Sequence, residues 1–257
     1  MKKVNLLMLA GILITAAGVT EAALLSSDAQ TVALWHMDSV YMTTSRTMVN
    51  SDGGTNSLVF GSTTSTNTNN AKYPVLADDG YDGKALQFDG VDDMAYTAYG
   101  NWAGYDSVQV ELWFNPSRLS GTQTLISAGS DGSPWELRLS GSTLYFYAWF
   151  YPIAGGSGSV NSVTRTAVLG EWNHVIATIN DGTISLTLGA STATKTYNAA
   201  TTQLNPSTQT MYVGNRATKY YYQGLIDEVK VSYIPEPATL SLLGLGTIGC
   251  LLRKKRV

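Results

Sequence analysis

Apolar and polar residues alternate with a period of two in several segments in the middle of the chain. From Trp135 to Leu139, three apolar side chains would share one face of an extended strand, with Glu136 and Arg138 on the other face. Such alternation predicts β-strands that bury one face in a core. The same pattern is present in the segments 107–114, 175–179, 183–188 and 224–233.

An aromatic segment from Thr143 to Phe150 is divided in the same way. Tyr145, Tyr147 and Trp149 fall on one side, and Phe146 and Phe150 fall on the other. The Tyr/Trp side is a candidate platform for binding sugars or proteins. Alternatively, these rings cover the core and its rim. Three further tyrosines before the last strand would extend the platform: Tyr220, Tyr221 and Tyr222.

Turn-forming residues separate these strands at short intervals. Asn180-Asp181-Gly182 lies between two alternating runs and predicts a β-hairpin. The alternation in 224–233 places Leu225, Asp227, Val229 and Val231 on one face. Apolar residues at helical spacing are absent from any long segment of the sequence. The predicted fold class is therefore all-β, a sandwich or jelly roll.

One segment, 50–70, consists almost entirely of Ser, Thr, Asn and Gly apart from Leu58-Val59-Phe60. This composition predicts a long surface loop between the first strand and the next.

The two ends of the chain have the character of targeting segments. Met1-Lys2-Lys3 precedes a mostly apolar stretch and the small residues Ala22 and Ala23, which predicts a signal peptide over residues 1–23. At the other end, an apolar run from 238 to 252 spans about 22 Å as a helix, less than the roughly 30 Å of a bilayer core. Such a segment favours a brief transmembrane stop over a permanent anchor.

The last residues, 234–257, resemble the PEP-CTERM sorting signal of Gram-negative bacteria. The resemblance depends on a Pro-Glu-Pro tripeptide, the apolar run and a basic end, which comprise Pro235, Glu236, Pro237, Arg253, Lys254, Lys255 and Arg256. It implies transient contact with the inner membrane and processing by an exosortase-type protease. It also implies export to the cell surface, outer membrane or extracellular matrix.

Removing both targeting segments changes the charge of the chain. They contain six of its 16 basic residues and two of its 19 acidic ones, so the remaining body, 24–233, has a net charge near −7. An acidic body argues against nucleic acid as a partner. The only cysteine, Cys250, lies in the tail, so the body forms no disulfide.

The body also carries an ordered set of motifs that resembles a LamG-like domain of the concanavalin A-like lectin/glucanase superfamily. The resemblance covers about residues 30–233 and implies a two-sheet antiparallel jelly roll. Its motifs are Ala33–Asp38, Gly83–Asp93, Val110–Pro116, Glu171–Val175 and Gly224–Val231.

The same resemblance implies a structural calcium ion between the opening and closing strands. Asp38 and Asp227 are the expected carboxylate ligands, and Gly83 or Asp89 would add oxygens. Alternatively, Asp227 pairs with Lys or Arg or caps backbone N–H groups. His36 and His174 are expected to be structural, because two distant histidines without a cysteine make no convincing zinc site.

Glucanase members of the superfamily carry paired carboxylates on one strand, as retaining hydrolysis requires. The corresponding strand here, Val110–Pro116, has one acidic residue, Glu111, while Glu136 and Glu171 lie on other segments. No catalytic residue is therefore predicted. The expected function is non-catalytic binding of a glycan or of a matrix or cell-surface protein. The alternatives are a purely structural matrix component and, third, a glycoside hydrolase or lyase.

Overall fold

The computed structural model describes residues 24–38, 47–48, 51, 56–61, 72–97, 107–130, 134–205 and 210–234. Within these ranges the chain forms seventeen β-strands and no helix. The strands are β1 (Thr31–Trp35), β2 (Thr47–Met48), β3 (Leu58–Phe60), β4 (Val75–Ala77), β5 (Ala85–Asp89), β6 (Ala95–Thr97), β7 (Val108–Pro116), β8 (Thr122–Ala128), β9 (Trp135–Ser140), β10 (Thr143–Pro152), β11 (Ser159–Thr166), β12 (Asn173–Asn180), β13 (Thr183–Leu188), β14 (Ser191–Thr196), β15 (Thr202–Leu204), β16 (Met211–Val213) and β17 (Gln223–Tyr233).

The strands form two antiparallel sheets. Sheet A has the order β14-β13-β12-β7-β17-β5-β4, with β1 also paired to β17. Sheet B has the order β11-β10-β9-β8-β16-β6-β3-β2, with β15 also paired to β10. Side chains from both sheets meet in one apolar cluster, so the sheets pack face to face as a sandwich. The prediction of an all-β, two-sheet fold is confirmed.

Alternation decides which side chains enter the core. Along β10, Leu144, Phe146, Ala148 and Phe150 are buried, while the residues between them are half-buried on the outer face. In β9, Trp135, Leu137 and Leu139 are in the core, as predicted. The predicted hairpin is also present, because β12 and β13 pair across a turn in which Asp181 and Gly182 both have positive φ.

The predicted face of the last strand is wrong in its first half. Ile226, not Leu225, enters the core, and Val229 and Val231 follow it there. A β-bulge between Asp227 and Lys230 inserts an extra residue and shifts the alternation by one. Asp227 therefore lies opposite Trp113 on the outer side of sheet A rather than among apolar side chains.

The predicted loop over 50–70 is also wrong in part. Leu58–Phe60 forms β3, which pairs with β2 and β6 and buries Leu58 and Phe60 in the core. Burial of these two apolar side chains stabilises the short strand in its position between β2 and β6.

The predicted signal peptide, 1–23, lies outside the described residues, and so does the predicted sorting tail, 234–257, with its helix, apart from Ile234. The described part of the chain contains no helix with the length and apolar character that crossing a membrane requires.

We predict that Gly214→Ala destabilises the fold more than Gly121→Ala. Both glycines have a positive φ, +79° and +75°, so both alanines would carry the same backbone strain. A Cβ at Gly214 would lie 2.1 Å from the buried Phe88 ring, whereas a Cβ at Gly121 meets nothing within 4 Å. The additional loss should be about 1–3 kcal/mol in urea unfolding. Equal losses for the two variants would contradict this packing.

Candidate functional site

The outer face of sheet B carries a row of polar and aromatic side chains that crosses five strands. The register brings these residues opposite one another in a direct line, because each pairs with the next across the sheet. In order from β10 to β6, the row is Tyr147, Glu136, Ser127, Tyr212 and Tyr96.

A second row runs along β10 at right angles to the first. The rings of Tyr145 and Tyr147 stack with centroids 5.3 Å apart, and those of Tyr147 and Trp149 lie 5.7 Å apart. All three rings are half-buried on the side facing away from the core. We call these three residues, together with Tyr220, the aromatic face. The predicted division of the aromatic segment is therefore what the structure shows.

A buried carboxylate lies beneath this surface. Glu136 is fully buried, and its Oε1 accepts a 2.6 Å hydrogen bond from the Thr124 hydroxyl. Its Oε2 lies 3.3 Å from Arg216 Nη1 and 3.7 Å from Arg138 Nη1. Burial acts to lower the pKa of Arg138, but a hydrogen bond to Tyr147 and the charge of Glu136 outweigh it and raise that pKa.

The loop between β16 and β17 brings Arg216 and Tyr220 to the site. Its backbone is fixed to sheet B, because Thr124 N donates to Tyr220 O and Gly214 N donates to Leu125 O. Both guanidinium groups lie near the Tyr220 ring, Arg138 at 5.7 Å and Arg216 at 5.9 Å. Tyr220 thus lies on the aromatic face and is 38% exposed.

The other two tyrosines of the loop lie elsewhere. Tyr222 is fully buried and packs edge-on against Phe88, so its predicted role in binding is wrong. Burial and the charge of Asp92 raise the pKa of Tyr221. Tyr220 has a positive φ of 57°, so the three tyrosines do not form a regular extended segment and their rings do not share one surface.

The row on β10 leads into an open groove with a volume of about 340 Å³. A volume of this size falls within the range of small-ligand sites. The groove is lined by Tyr151, Pro152, Ile153, Gly155, Gly156, Gln203 and Asn205.

Sequence alone does not reveal the two arginines as part of a site. The alternation in β9 places Glu136 and Arg138 outside the core, but Arg216 comes from a loop without any periodic pattern. Only the pairing of β8 with both β9 and β16 brings these segments together. No local sequence pattern identifies Tyr96 and Tyr212 as part of the site either, for the same reason.

Three of the four predicted calcium ligands come from segments that border a gap beside β17. β1 pairs with the end of β17 and β5 with its beginning, which leaves a gap at the bulge. Asp38 follows β1 and Gly83 precedes β5, and a Cβ built on Gly83 would lie 2.3 Å from Asp38 Oδ1. Asp227 lies in the gap itself.

Asp227 caps backbone N–H groups in this gap, which was the alternative expected from sequence. It accepts hydrogen bonds from Tyr81 N at 2.8 Å, Asp82 N at 3.1 Å and Glu228 N at 2.8 Å. Burial nevertheless raises the pKa of Asp227 to about 7. Burial also raises the pKa of Glu228, although its contact with His36 Nδ1 at 2.8 Å acts in the opposite direction.

Asp89, the fourth predicted ligand, lies elsewhere. It pairs with Gln223, four residues before Asp227 on β17, which corresponds to about 13 Å along the strand. Asp89 belongs instead to an acidic turn with Asp92 and Asp93, whose carboxylate oxygens lie within 4.8 Å of one another. Asp93 is 5% exposed, accepts a hydrogen bond from Asp89 N and has a pKa raised to about 6, mainly by burial.

The outer face of sheet A carries a different arrangement. Trp113 stacks between Tyr81 and His174, with ring centroids 3.5 Å and 4.4 Å away. His174 Nε2 lies 2.8 Å from Glu111 Oε1. Glu111, on the strand expected to carry catalytic carboxylates in glucanases, therefore has a histidine as its partner.

Comparison with known families supports the resemblance seen in the sequence. The model of the concanavalin A-like lectin/glucanases superfamily matches residues 88–235. A model of the PEP-CTERM protein-sorting motif matches residues 234–256, which indicates an exported protein and implies exosortase processing. No curated protein matches the chain in sequence.

Several solved structures share the fold. The receptor-binding domain of botulinum neurotoxin type G is 12% identical (TM-score 0.55; 82% of this chain, 49% of that one). The serotype D ligand-binding domain in complex with N-acetylneuraminic acid is 13% identical (TM-score 0.56; 85% and 51%). Domain 4 of AbnA, an extracellular arabinanase from Geobacillus stearothermophilus in complex with arabinotriose, is 16% identical (TM-score 0.55; 79% and 92%). The chain spans about half the length of the two neurotoxin domains.

We predict that Asp93→Asn stabilises the protein at neutral and alkaline pH. The pKa of Asp93 is near 3.8 in the unfolded state and about 6 in the folded state, so the folded protein binds the proton more tightly. The free energy of unfolding therefore falls as the pH rises from about 3.8 to about 6. Asparagine still accepts the hydrogen bond from Asp89 N but has no charge to bury. The gain should be about 1–3 kcal/mol at a pH of about 8 and should vanish near pH 3.5, as measured by urea unfolding. Asp92→Asn, at a more exposed position, is the control, and a gain that is independent of pH would refute this assignment.

Proposed function

The chain belongs to the concanavalin A-like lectin/glucanase superfamily, and we propose that it is an exported, non-catalytic protein that binds glycans through the aromatic face of sheet B. The observation that carries the proposal is the stacked row of Tyr145, Tyr147 and Trp149, which lies outside the core. A sugar ring has an apolar C–H face that packs on an aromatic ring, while its hydroxyls need polar partners. Tyrosine and tryptophan supply both kinds of contact.

The shape of the surface supports binding of a chain of sugars. From Tyr145 to Tyr151, side chains at every second residue of β10 face outward over a distance of about 20 Å. The groove beyond Trp149 continues this line. Two proteins that share the fold, the AbnA domain and the serotype D domain, were solved with arabinotriose and N-acetylneuraminic acid.

The positions of the carboxylates support binding without catalysis. Glu136 is fully buried beneath the rings and paired with two arginines, so its oxygens do not reach a bound glycosidic bond. Glu111 lies on the other sheet and contacts His174. Glycoside hydrolysis needs two carboxyl groups that flank the scissile bond.

A structural role in an extracellular matrix is the second candidate. This role is favoured by the partial burial of the β10 rings. Tyr145, Tyr147 and Trp149 are all absent from the large apolar residues that are exposed to solvent. In that case the arginine contacts with Tyr147 and Trp149 would serve stability alone. The destination in either case is the cell surface, outer membrane or matrix of a Gram-negative-type bacterium, with an adhesive or matrix partner.

We also propose that the gap beside β17 holds a structural calcium ion. The donor set fits this ion, because calcium takes carboxylate and carbonyl oxygens. The Asp38 and Asp227 carboxylates and the Gly83 carbonyl would supply ligands. Burial of Asp227 raises its pKa, and a bound cation would offset that cost. The ion would join the end of β1 to the start of β5.

We predict that replacing Tyr147 and Trp149 together with Ala weakens glycan binding at least about tenfold, which corresponds to 1.4 kcal/mol. The loss follows from removing two of the stacked rings while the core-facing side of β10 is left intact. A glycan array identifies the ligand, and calorimetry measures the affinity.

Trp172→Ala, beside the outer face of sheet A, is the matched control. Unfolding of the double variant, or a flat array with the native protein, would favour the structural role. Release of oligosaccharides that is lost in Glu136→Gln would contradict a non-catalytic function.

We predict that calcium raises the melting temperature. At a free calcium concentration of about 100 times the Kd, binding to the folded state adds about 2.7 kcal/mol to the free energy of unfolding. This gain corresponds to a rise in melting temperature of roughly 5 °C or more for a domain of this size. Asp227→Asn should abolish the shift, and Asp89→Asn should preserve it, because only the former residue lies in the gap. A melting temperature that responds neither to chelator nor to added calcium would eliminate the site.

A further inference from the structure

Building on the proposed glycan-binding function, we propose that the ligand carries acetamido groups, as an N-acetylhexosamine does, and that the groove beyond Trp149 binds one of them. The inference depends on three observations: the position of the groove along β10, the neutral and partly apolar character of its lining, and the amide group of Gln203.

The groove continues the aromatic face along the same strand. Tyr151 follows Trp149 on the outward side of β10, about 7 Å further along the strand. Asn205 N donates to Trp149 O at 2.9 Å, which holds the segment after β15 against β10. A sugar chain that stacks on Trp149 and continues in this direction therefore enters the groove.

The shape of the groove is set before any ligand arrives. Ile153 N donates to Thr201 O at 2.9 Å, so the chain leaving β10 is tied to the residue before β15. The ring of Tyr151 packs closely on Gly158, where a Cβ would lie 2.8 Å from Tyr151 Cζ. A preformed groove has little freedom to lose on binding.

The lining of the groove is neutral and partly apolar. None of the described residues that line it carries a charge. Ile153 is 58% exposed and adjoins Pro152 and Tyr151, which gives the groove an apolar wall. A carboxylate, sulfate or ammonium group would lose hydration there without gaining an ion partner. A neutral substituent with a methyl group, by contrast, would cover the exposed isoleucine.

Gln203 supplies polar groups at the same place. It pairs with Tyr151 across β15 and β10, so its side chain lies on the same outward face as the aromatic rings. In the part of the chain that the structure describes, its amide group has no hydrogen-bond partner.

A primary amide offers both donors and an acceptor. An acetamido group offers the complement, because its carbonyl accepts and its N–H donates, and it adds the methyl that the apolar wall favours. The methyl of a deoxy sugar would leave the amide of Gln203 unused, and an O-acetyl ester would leave its acceptor unused.

The test compares sugars that differ only in this substituent. Chitohexaose and cellohexaose have the same backbone linkage, but the first carries an acetamido group where the second carries a hydroxyl. On a glycan array, glycans of N-acetylgalactosamine and N-acetylmannosamine are compared in the same way with those of galactose and mannose. We expect at least one acetamido sugar to bind about tenfold or more tightly than its hydroxyl counterpart. Added salt should leave this ratio unchanged, because the substituent is neutral.

Variants assign the preference to the groove. Gln203→Leu should weaken binding of the preferred acetamido sugar about tenfold and leave binding of its hydroxyl counterpart unchanged. Ile153→Ser should act in the same direction through loss of the methyl contact, without removing the amide. Gln109→Leu is the matched control, because it makes the same substitution on the outer side of β7 in sheet A.

The outcomes separate this inference from the proposed function. Equal affinity for acetamido and hydroxyl sugars that is lost on replacing Tyr147 and Trp149 would overturn the acetamido assignment and support glycan binding by the rings. A preference for acetamido sugars that survives in both Gln203→Leu and Ile153→Ser would overturn the groove as its site. Tighter binding of O-acetylated or deoxy sugars would overturn the substituent class. Binding of no sugar, on the array or in solution, would overturn both proposals.

Discussion

The apolar core between the two sheets requires every second side chain of the long strands to point inward. Leu144, Phe146, Ala148 and Phe150 satisfy this requirement on β10 and are almost completely buried. Their neighbours are then forced outward, whatever their chemical nature. The aromatic face is a consequence of this constraint, because the outward positions of β10 carry tyrosine and tryptophan where threonine or serine would have sufficed for solubility.

The same constraint makes the bulge in β17 informative. A strand that buries one face tolerates an extra residue only where apolar side chains still point into the core both before and after the bulge. Here the shift carries a carboxylate, Asp227, away from the core and into the gap that β1 and β5 leave along β17. A break in the alternation thus coincides with the place where three segments bring polar groups together. The β-bulge thus accounts both for the break in the alternation of β17 and for the position of Asp227 in the candidate calcium site.

Much of the fold is predictable from the sequence, and the site is predictable only in part. Local alternation identified the core residues of β9 and the outward rings of β10, and Asp181-Gly182 identified a hairpin. None of these depends on which strands become neighbours. The pairing of Glu136 with Arg216, by contrast, requires β8 to lie between β9 and β16, and no local pattern encodes that order. The burial of Tyr222 likewise follows from packing against Phe88.

The central claim is that the outer face of sheet B is the surface that binds a glycan. A crystal structure of the protein with a bound oligosaccharide tests this claim most directly. We predict sugar rings stacked on Tyr147 and Trp149, with density continuing towards the groove beyond β10. An ordered oligosaccharide on the outer face of sheet A, beside Trp113 and His174, with the aromatic face empty, would contradict it.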